Sequence, residues 1–178
     1  KGLEGGTLLR ASEVIAGVIS PRLSNGIAVL SGPTFAREVA RGEPAALVIS
    51  SLDGELAASI QQEFSGPTFR LYTNGDPVGV EIGASLKNVI AIAAGVCAGL
   101  GLGSNAVAAL ITRGLAEISR LAFAMGGQAR TLAGLAGLGD LVLTCTGELS
   151  RNRSVGMELA KGRGIQEIVS SMKMVAEG

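Results

Sequence analysis

The chain contains no histidine and no tryptophan. Without imidazole there is no Ser-His or Cys-His catalysis, no histidine metal ligation and no histidine proton shuttle. Acid–base chemistry is left to Lys, Asp, Glu, Tyr or Cys. Aromatic residues make up only 3% of the sequence, which argues against base-stacking platforms for nucleic acid. Neither sign of charge dominates. Fifteen Lys and Arg balance fifteen Asp and Glu, so a basic nucleic-acid surface is not expected. The two cysteines, Cys97 and Cys145, are far apart and form no C-x-x-C spacing. Such scattered thiols give no metal signal and fit a reducing compartment, with a single disulfide between them as the alternative.

With 17% charged and 47% apolar residues, the 178-residue chain can bury a sizeable core and is not expected to be disordered. It opens on Lys1 with no signal-peptide pattern and stops at MVAEG without an evident cap. The expectation is a piece of a longer, cytoplasmic protein.

The periodicity divides the chain in two. Residues 7–20 have helical spacing, with Pro21 as a stop. IAVLS at 27–31, AALVIS at 45–50 and Phe69 to Thr73 read as short buried strands. Between them, Thr34 to Arg41 and Asp53 to Phe64 read as helices, the second with an acidic first turn. Strands alternating with helices imply βαβ units and a parallel sheet. From Pro77 onward the pattern is helical: 78–98, 104–125 (ending at Gly126-Gly127), 150–161 and 165–175. The fold class expected is therefore α/β followed by all-α, with 1–76 as one domain and 77–178 as the other.

Val89 to Ile111 is an uncharged run of bilayer-spanning length. Gly99, Gly101, Gly103, Ser104 and Asn105 interrupt it, and no basic flank or aromatic belt borders it. Two buried helices joined by a Gly-rich turn are expected, not a membrane span. GLGLGSN at 99–105 and GLAGLGD at 134–140 look like dinucleotide loops, but neither follows a strand signal, as a true fingerprint must. Helix turns and close helix packing account for both.

Lys87 and Asp140 stand out as lone charges in apolar surroundings. Lys87 lies in VEIGASLKNVIAIAAG, a helix apolar on almost every side. Desolvation there would lower its pKa and make it an acid–base group near neutral pH; the alternative is a lysine that snorkels to the surface. Asp140 is the only charged residue between Thr131 and Gly147. A buried carboxylate needs a cation or several donors, and Lys87 is the obvious candidate. The alternative is a cap on a helix starting at Leu141.

Ser150-Arg151-Asn152-Arg153 precedes a helical run. A Ser N-cap, open helix N–H groups and a guanidinium could together hold a phosphate or carboxylate, although basic residues near helix starts are also ordinary surface features. Gly32-Pro33-Thr34 follows a strand and opens a helix, where a doubly wound sheet would face its ligand crevice.

In order along the chain stand KGLE at 1–4, LSGPTFAREVA at 30–40 and NGDPVGVEIGASLKNVIAIAAG at 74–95. GLGLGSNAVAALITRGLAEISRL at 99–121, GLAGLGDLVLTCTGELSRNRSVG at 134–156 and VAEG at 175–178 follow. Together they resemble the bacterial-type NAD(P)-dependent glycerol-3-phosphate dehydrogenases, and the resemblance covers essentially the whole chain. It implies the C-terminal part of a Rossmann-like cofactor domain followed by a helical substrate domain. The implied activity interconverts sn-glycerol 3-phosphate and dihydroxyacetone phosphate with NAD or NADP, supplying phospholipid synthesis.

By the same resemblance, Lys87 is the acid–base residue and Asp140 binds substrate and holds the lysine. Lys1 touches both substrate and cofactor. Gly32 and Thr34 line the substrate site, and Ala36 the cofactor. Ser150, Arg151 and Asn152 take the phosphate end, with Arg151 also near the cofactor. Val175 and Glu177 border the cofactor. The expected partners are a phosphorylated small molecule and a second copy of the chain as a homodimer, with no nucleic acid, no membrane span and no metal.

The family's opening strand, Gly-rich loop and helix have no counterpart here, so the chain alone is expected to bind dinucleotide poorly and to be inactive. Two alternatives stay open. One is another lysine-dependent two-domain dehydrogenase, of the 6-phosphogluconate or 3-hydroxyisobutyrate type. The other is a non-catalytic helical interaction module.

Overall fold

In the computed structural model, which describes residues 1–19, 26–172 and 176, the chain opens on a tight turn. Leu8 N donates to the Glu4 carbonyl and Glu4 N to the Leu9 carbonyl, both at 2.9 Å, and Leu3 bridges antiparallel to Arg10. The helix expected over 7–20 therefore starts late, as α1 (Ala11–Val18). Leu8 has φ +59°, which no right-handed helix accommodates. Arg10 N donates to Glu13 Oε2 at 2.8 Å, fixing where α1 begins. Ser20 and Pro21 lie outside the described residues.

The three strands are β1 (Val29–Ser31), β2 (Ala45–Ser50) and β3 (Phe69–Asn74), in the order β1-β2-β3. β2 and β3 run parallel, from Ala45 opposite Phe69 to Ser50 opposite Asn74. The expectation of a wholly parallel sheet fails at β1, which pairs antiparallel with β2, Val29 facing Ser50. Connection length explains the difference. A parallel crossover needs a helix long enough to return along the sheet. α3 (Gly54–Phe64), roughly 16 Å long, does this between β2 and β3, whereas α2 (Ala36–Ala40) is only about 7.5 Å long. α2 is also shorter than its expected 34–41, because the Thr34 hydroxyl donates to the Gly32 carbonyl at 3.2 Å and stays in the turn.

β2 alternates faces with the period of two that a strand imposes. Leu47 and Ile49 pack with Leu71, Ile60 and Phe69 on one side. Val48 meets Val80 and Ala136 on the other, joining the sheet to the helices. Asp53 caps α3, accepting from Glu55 N at 2.9 Å and Leu56 N at 3.1 Å, an arrangement that stabilises by about 1 kcal/mol.

α4 (Pro77–Gly99) is the axis of the helical part. Pro77 stands in its first turn, where a missing N–H costs nothing. The buried Asp76 accepts from Gly79 N at 2.9 Å and from Gln128 N at 2.8 Å, tying the start of α4 to the start of the short α6 (Ala129–Leu132), which follows α5 (Gly103–Ala124). The uncharged run breaks at Leu100–Leu102, as expected of two helices. α4 is long and apolar enough to cross a bilayer, but it is packed as the core helix against α5, α7 (Asp140–Thr146) and α8 (Arg151–Ala160). Gly95 and Gly156 let α4 and α8 touch backbone to backbone. A Cβ at Gly95 would lie 2.0 Å from the Arg153 carbonyl oxygen, and one at Gly156 2.0 Å from that of Ile92.

Ile82, Ala91, Ile111, Ile118, Leu132, Leu141 and Cys145 form the main core. Neither Gly-rich decoy follows a strand. Residues 99–105 turn from α4 into α5, and Leu135–Gly139 form a single π-helical turn running into α7. Helix α9 (Ile165–Ser171) ends before the expected 175, and residues 173–175 are outside those described.

Candidate active site

Lys87 is buried, 6% exposed, because α4 is covered around most of its girth near this residue: Val80 through Ser85 and Asn88 are buried as well. The snorkelling alternative fails for the same reason. Its Nζ donates to Asp140 Oδ1 in a short, buried ion pair. Asp140 is the first residue of α7, carried there by the π-helical turn, and is 3% exposed. It does not sit outside the helix as a cap. Thr144, one turn on, brings its Oγ1 to 2.6 Å from the Asp140 carbonyl and 3.3 Å from Oδ1. Burial pushes the Lys87 ammonium below its ordinary pKa; Asp140 pulls it back up, and the neighbouring Lys1 pushes it down again. The Cys145 thiol nearby is pushed up to about 11 by burial, with the Lys87 charge opposing.

The pair lies on the wall of a cavity of about 450 Å³. Lys1, Thr34 and Ala36 come to it from the α/β part, and Ser150, Arg151 and Asn152 from the start of α8. Ser150 does cap that helix, its Oγ accepting from Arg153 N at 3.3 Å. The α8 N-terminus, with its positive dipole end, thus shares the cavity with a guanidinium. Two slightly larger cavities, of about 500 and 490 Å³, lie elsewhere and contain neither Lys87 nor Asp140.

Eight of the expected site residues share this space. Gly32 does not line it. Gly32 is buried at φ +147°, where a Cβ would stand 2.9 Å from the Leu47 Cα, so it shapes the turn that delivers Thr34 and Ala36. Val175 and Glu177 lie outside the described residues. Sequence reasoning missed Asn88, Thr144 and Arg37, all on the cavity wall. Thr144 was within reach, since it stands four residues after Asp140 on the same helix. Asn88 carries a weaker signal, a second polar residue beside Lys87 in an apolar helix. Arg37 carries none.

Residues 1–57 match the model of the NAD-dependent glycerol-3-phosphate dehydrogenase N-terminus, and residues 76–178 that of its C-terminus. A glycerol-3-phosphate dehydrogenase, NAD(P)+, of Koribacter versatilis is 63% identical over 179 positions, and one of Myxococcus xanthus 56% over 178; both cover the whole chain. The chain spans about half, 53%, of the length of each. Among solved structures, glycerol-3-phosphate dehydrogenase of Coxiella burnetii superposes with a TM-score of 0.91 at 45% identity, covering 100% of this chain and 54% of that one. The Saccharomyces cerevisiae enzyme superposes with a TM-score of 0.78 at 29% identity, over 99% of this chain and 53% of that one.

The class is thus a dehydrogenase fold in which a small sheet is followed by a helical part, with a buried lysine–carboxylate pair beside a cavity to which both contribute. Within that class, the chain belongs to the NAD-dependent glycerol-3-phosphate dehydrogenase family.

Proposed function

We propose that the full-length protein interconverts sn-glycerol 3-phosphate and dihydroxyacetone phosphate. Residues 1–76 would be the C-terminal part of the cofactor domain and 77–178 the substrate domain. The observation that carries this reading is the buried Lys87–Asp140 pair in one cavity with the start of α8.

The cavity offers part of a site for a nicotinamide dinucleotide: Lys1, Arg37 and Arg151 supply cationic groups on its wall and Ala36 lies with Thr34 in the lining. Lys1, Ala36 and Arg151 would hold it, and Val175 and Glu177 are assigned to it by family motif alone. NAD or NADP, when bound, supplies or accepts the hydride. Ser150, Arg151 and Asn152 hold the substrate phosphate, and Thr34 lines the rest of the substrate site.

In alcohol oxidation, Lys87 in its neutral form takes the hydroxyl proton onto Nζ as the hydride leaves the carbon. In the reverse direction the Lys87 ammonium polarises the ketone and returns that proton. Asp140 orients Nζ and stabilises its charged form. The enzyme is read as cytoplasmic, in keeping with Cys97 and Cys145 as free thiols. It is also read as a homodimer, by the family resemblance alone.

The test is turnover of dihydroxyacetone phosphate with NADH and NADPH, followed by absorbance, in the full-length protein and its Lys87→Ala variant. Turnover lost in a folded variant is expected. No turnover in the folded wild type would move the assignment to another lysine-dependent dehydrogenase. Equal turnover in both would remove Lys87 from the chemistry.

A further inference from the structure

Glu81 stands on α4 six residues before Lys87 and is 6% exposed. Its carboxylate serves no partner on its own helix. It accepts from Arg10 Nη1 and Ser12 N, both at 2.8 Å, and from Ser12 Oγ at 2.6 Å. Arg10 is held further by Glu13, Nη2 to Oε1 at 2.9 Å. The Arg10 backbone bridges to Leu3, and the Glu4–Leu9 hydrogen bonds close the turn between them. Two residues before Leu3 stands Lys1, on the cavity wall beside Lys87.

A buried carboxylate is costly unless its oxygens are fully engaged. Apolar packing could hold α1 against α4 without that cost, but it could not fix direction and register. Three directional hydrogen bonds to two residues of one short segment do fix them. A single helix carries both this anchor and Lys87, about 9 Å apart along its axis.

We propose that Glu81 is a positioning residue that anchors Arg10 and Ser12 to α4 and, through the Leu3–Arg10 bridge, sets Lys1 against Lys87. The proposal rests on the reading of Lys87 as the acid–base group. Its function is to keep a segment of the α/β part in register with an amine of the helical part.

The test is the titration of Lys87 by pH-dependent competitive acylation, read by mass spectrometry. It compares wild type, Glu81→Gln, Lys1→Ala and the double variant of the full-length protein. The titratable and charged groups around Lys87 are Asp140 and Cys145 from α7 and Lys1 from the N-terminal segment, with Arg37 and Arg151 on the shared cavity wall. The Lys1 charge holds Lys87 down, so freeing Lys1 raises the Lys87 titration. Loss of the Glu81 charge alone acts in the opposite direction, so a rise in Glu81→Gln reports movement of Lys1.

The expected result is an upward shift in Glu81→Gln, in the same direction as in Lys1→Ala, with nothing added in the double variant. Turnover should fall on the order of ten- to a hundred-fold in kcat/KM, with the same non-additivity. An unmoved Lys87 titration in folded Glu81→Gln, an unmoved one in Lys1→Ala, or additive shifts would each overturn the proposal. If Glu81→Gln fails to fold, Ser12→Ala, which removes one donor and keeps the ion pair, carries the same expectation at smaller size. A wild type that shows the titration pattern but does not turn over dihydroxyacetone phosphate would overturn the functional reading and leave the positioning role standing.

Discussion

Lys87 and Asp140, 53 residues apart in the chain, meet as a buried ion pair, Lys87 Nζ donating to Asp140 Oδ1. Each is the other's compensation. Removing one partner of such a pair leaves an unpaired buried charge and costs about 3–5 kcal/mol, whereas replacing both with apolar side chains is often neutral. Lys87→Ala is therefore expected to lower the melting temperature and to reduce turnover by roughly 10²–10⁴-fold. The double variant Lys87→Met with Asp140→Leu recovers the melting temperature and none of the turnover. Recovery of both in thermal melts and absorbance assays would make the pair structural only.

The direction of the Lys87 shift fixes the pH profiles. Burial and Lys1 hold it below the ordinary lysine value of 10.5. On the proposed reaction, oxidation needs the neutral amine, so kcat/KM of the full-length protein for glycerol 3-phosphate is expected to rise with pH and level off above the Lys87 pKa. Reduction would need the ammonium, so kcat/KM for dihydroxyacetone phosphate is expected to fall through the same inflection. Asp140 pulls the value up, so Asp140→Asn moves both inflections to lower pH. Stability follows the same sign. Between the lowered pKa and 10.5 the unfolded chain binds the extra proton, so unfolding free energy climbs with pH through that window. A kinetic inflection at or above 10.5, unmoved by Asp140→Asn, would take Lys87 out of the profile.

Gly95→Ala tests how α8 is aimed. The added Cβ would stand 2.0 Å from the Arg153 carbonyl oxygen, so α4 and α8 must separate. The expected cost is about 1–3 kcal/mol of overpacking strain. In the full-length protein, KM for dihydroxyacetone phosphate is expected to rise, since the proposed phosphate ligands Ser150, Arg151 and Asn152 ride on the displaced end, while kcat is expected to change less. Gly164→Ala meets no atom within 4 Å and serves as the control. Equal effects from the two would mean that the close helix contact does not place the start of α8.

Much of this was legible in the sequence, and the reasons differ by element. β2 was read with its observed bounds, because a six-residue run, apolar up to Ser50 and bounded by Pro44 and by Ser51 and Asp53, has few other uses. The Lys87–Asp140 pairing followed from the isolation of two opposite charges in apolar surroundings. The direction of β1 was not legible, since a three-residue strand pairs equally well either way until the length of α2 is known. Glu81 gave no warning either. Its partners, Arg10 and Ser12, lie 71 and 69 residues away, and a glutamate in a helix usually faces water.

Arg151 and Asn152 should decide phosphate affinity. A guanidinium engages phosphate oxygens through two parallel N–H bonds, which the point charge of a lysine cannot copy. Arg151→Lys is expected to weaken inorganic phosphate as a competitive inhibitor by about ten- to a hundred-fold, the value of one or two charge-assisted hydrogen bonds. Inhibition unchanged in Arg151→Lys would place the phosphate elsewhere in the cavity.

The two thiols report on the packing that holds Asp140 in place. Cys145 is buried on α7 within the main core, and its pKa of about 11 leaves about one thiolate in a thousand at pH 8. Only the thiolate reacts with an alkylating agent, and only when the reagent can reach it. Cys97, on α4, is half-buried. Brief exposure to iodoacetamide should therefore modify Cys97 and spare Cys145, and in denaturant the two should react alike. Cys145 is 1% exposed and borders a cavity of about 490 Å³ shared with α4 and α5, so its native rate measures how often that wall opens to the reagent. Modification of Cys145 as fast as Cys97 in the native protein would mean that the core does not keep the α7 thiol buried.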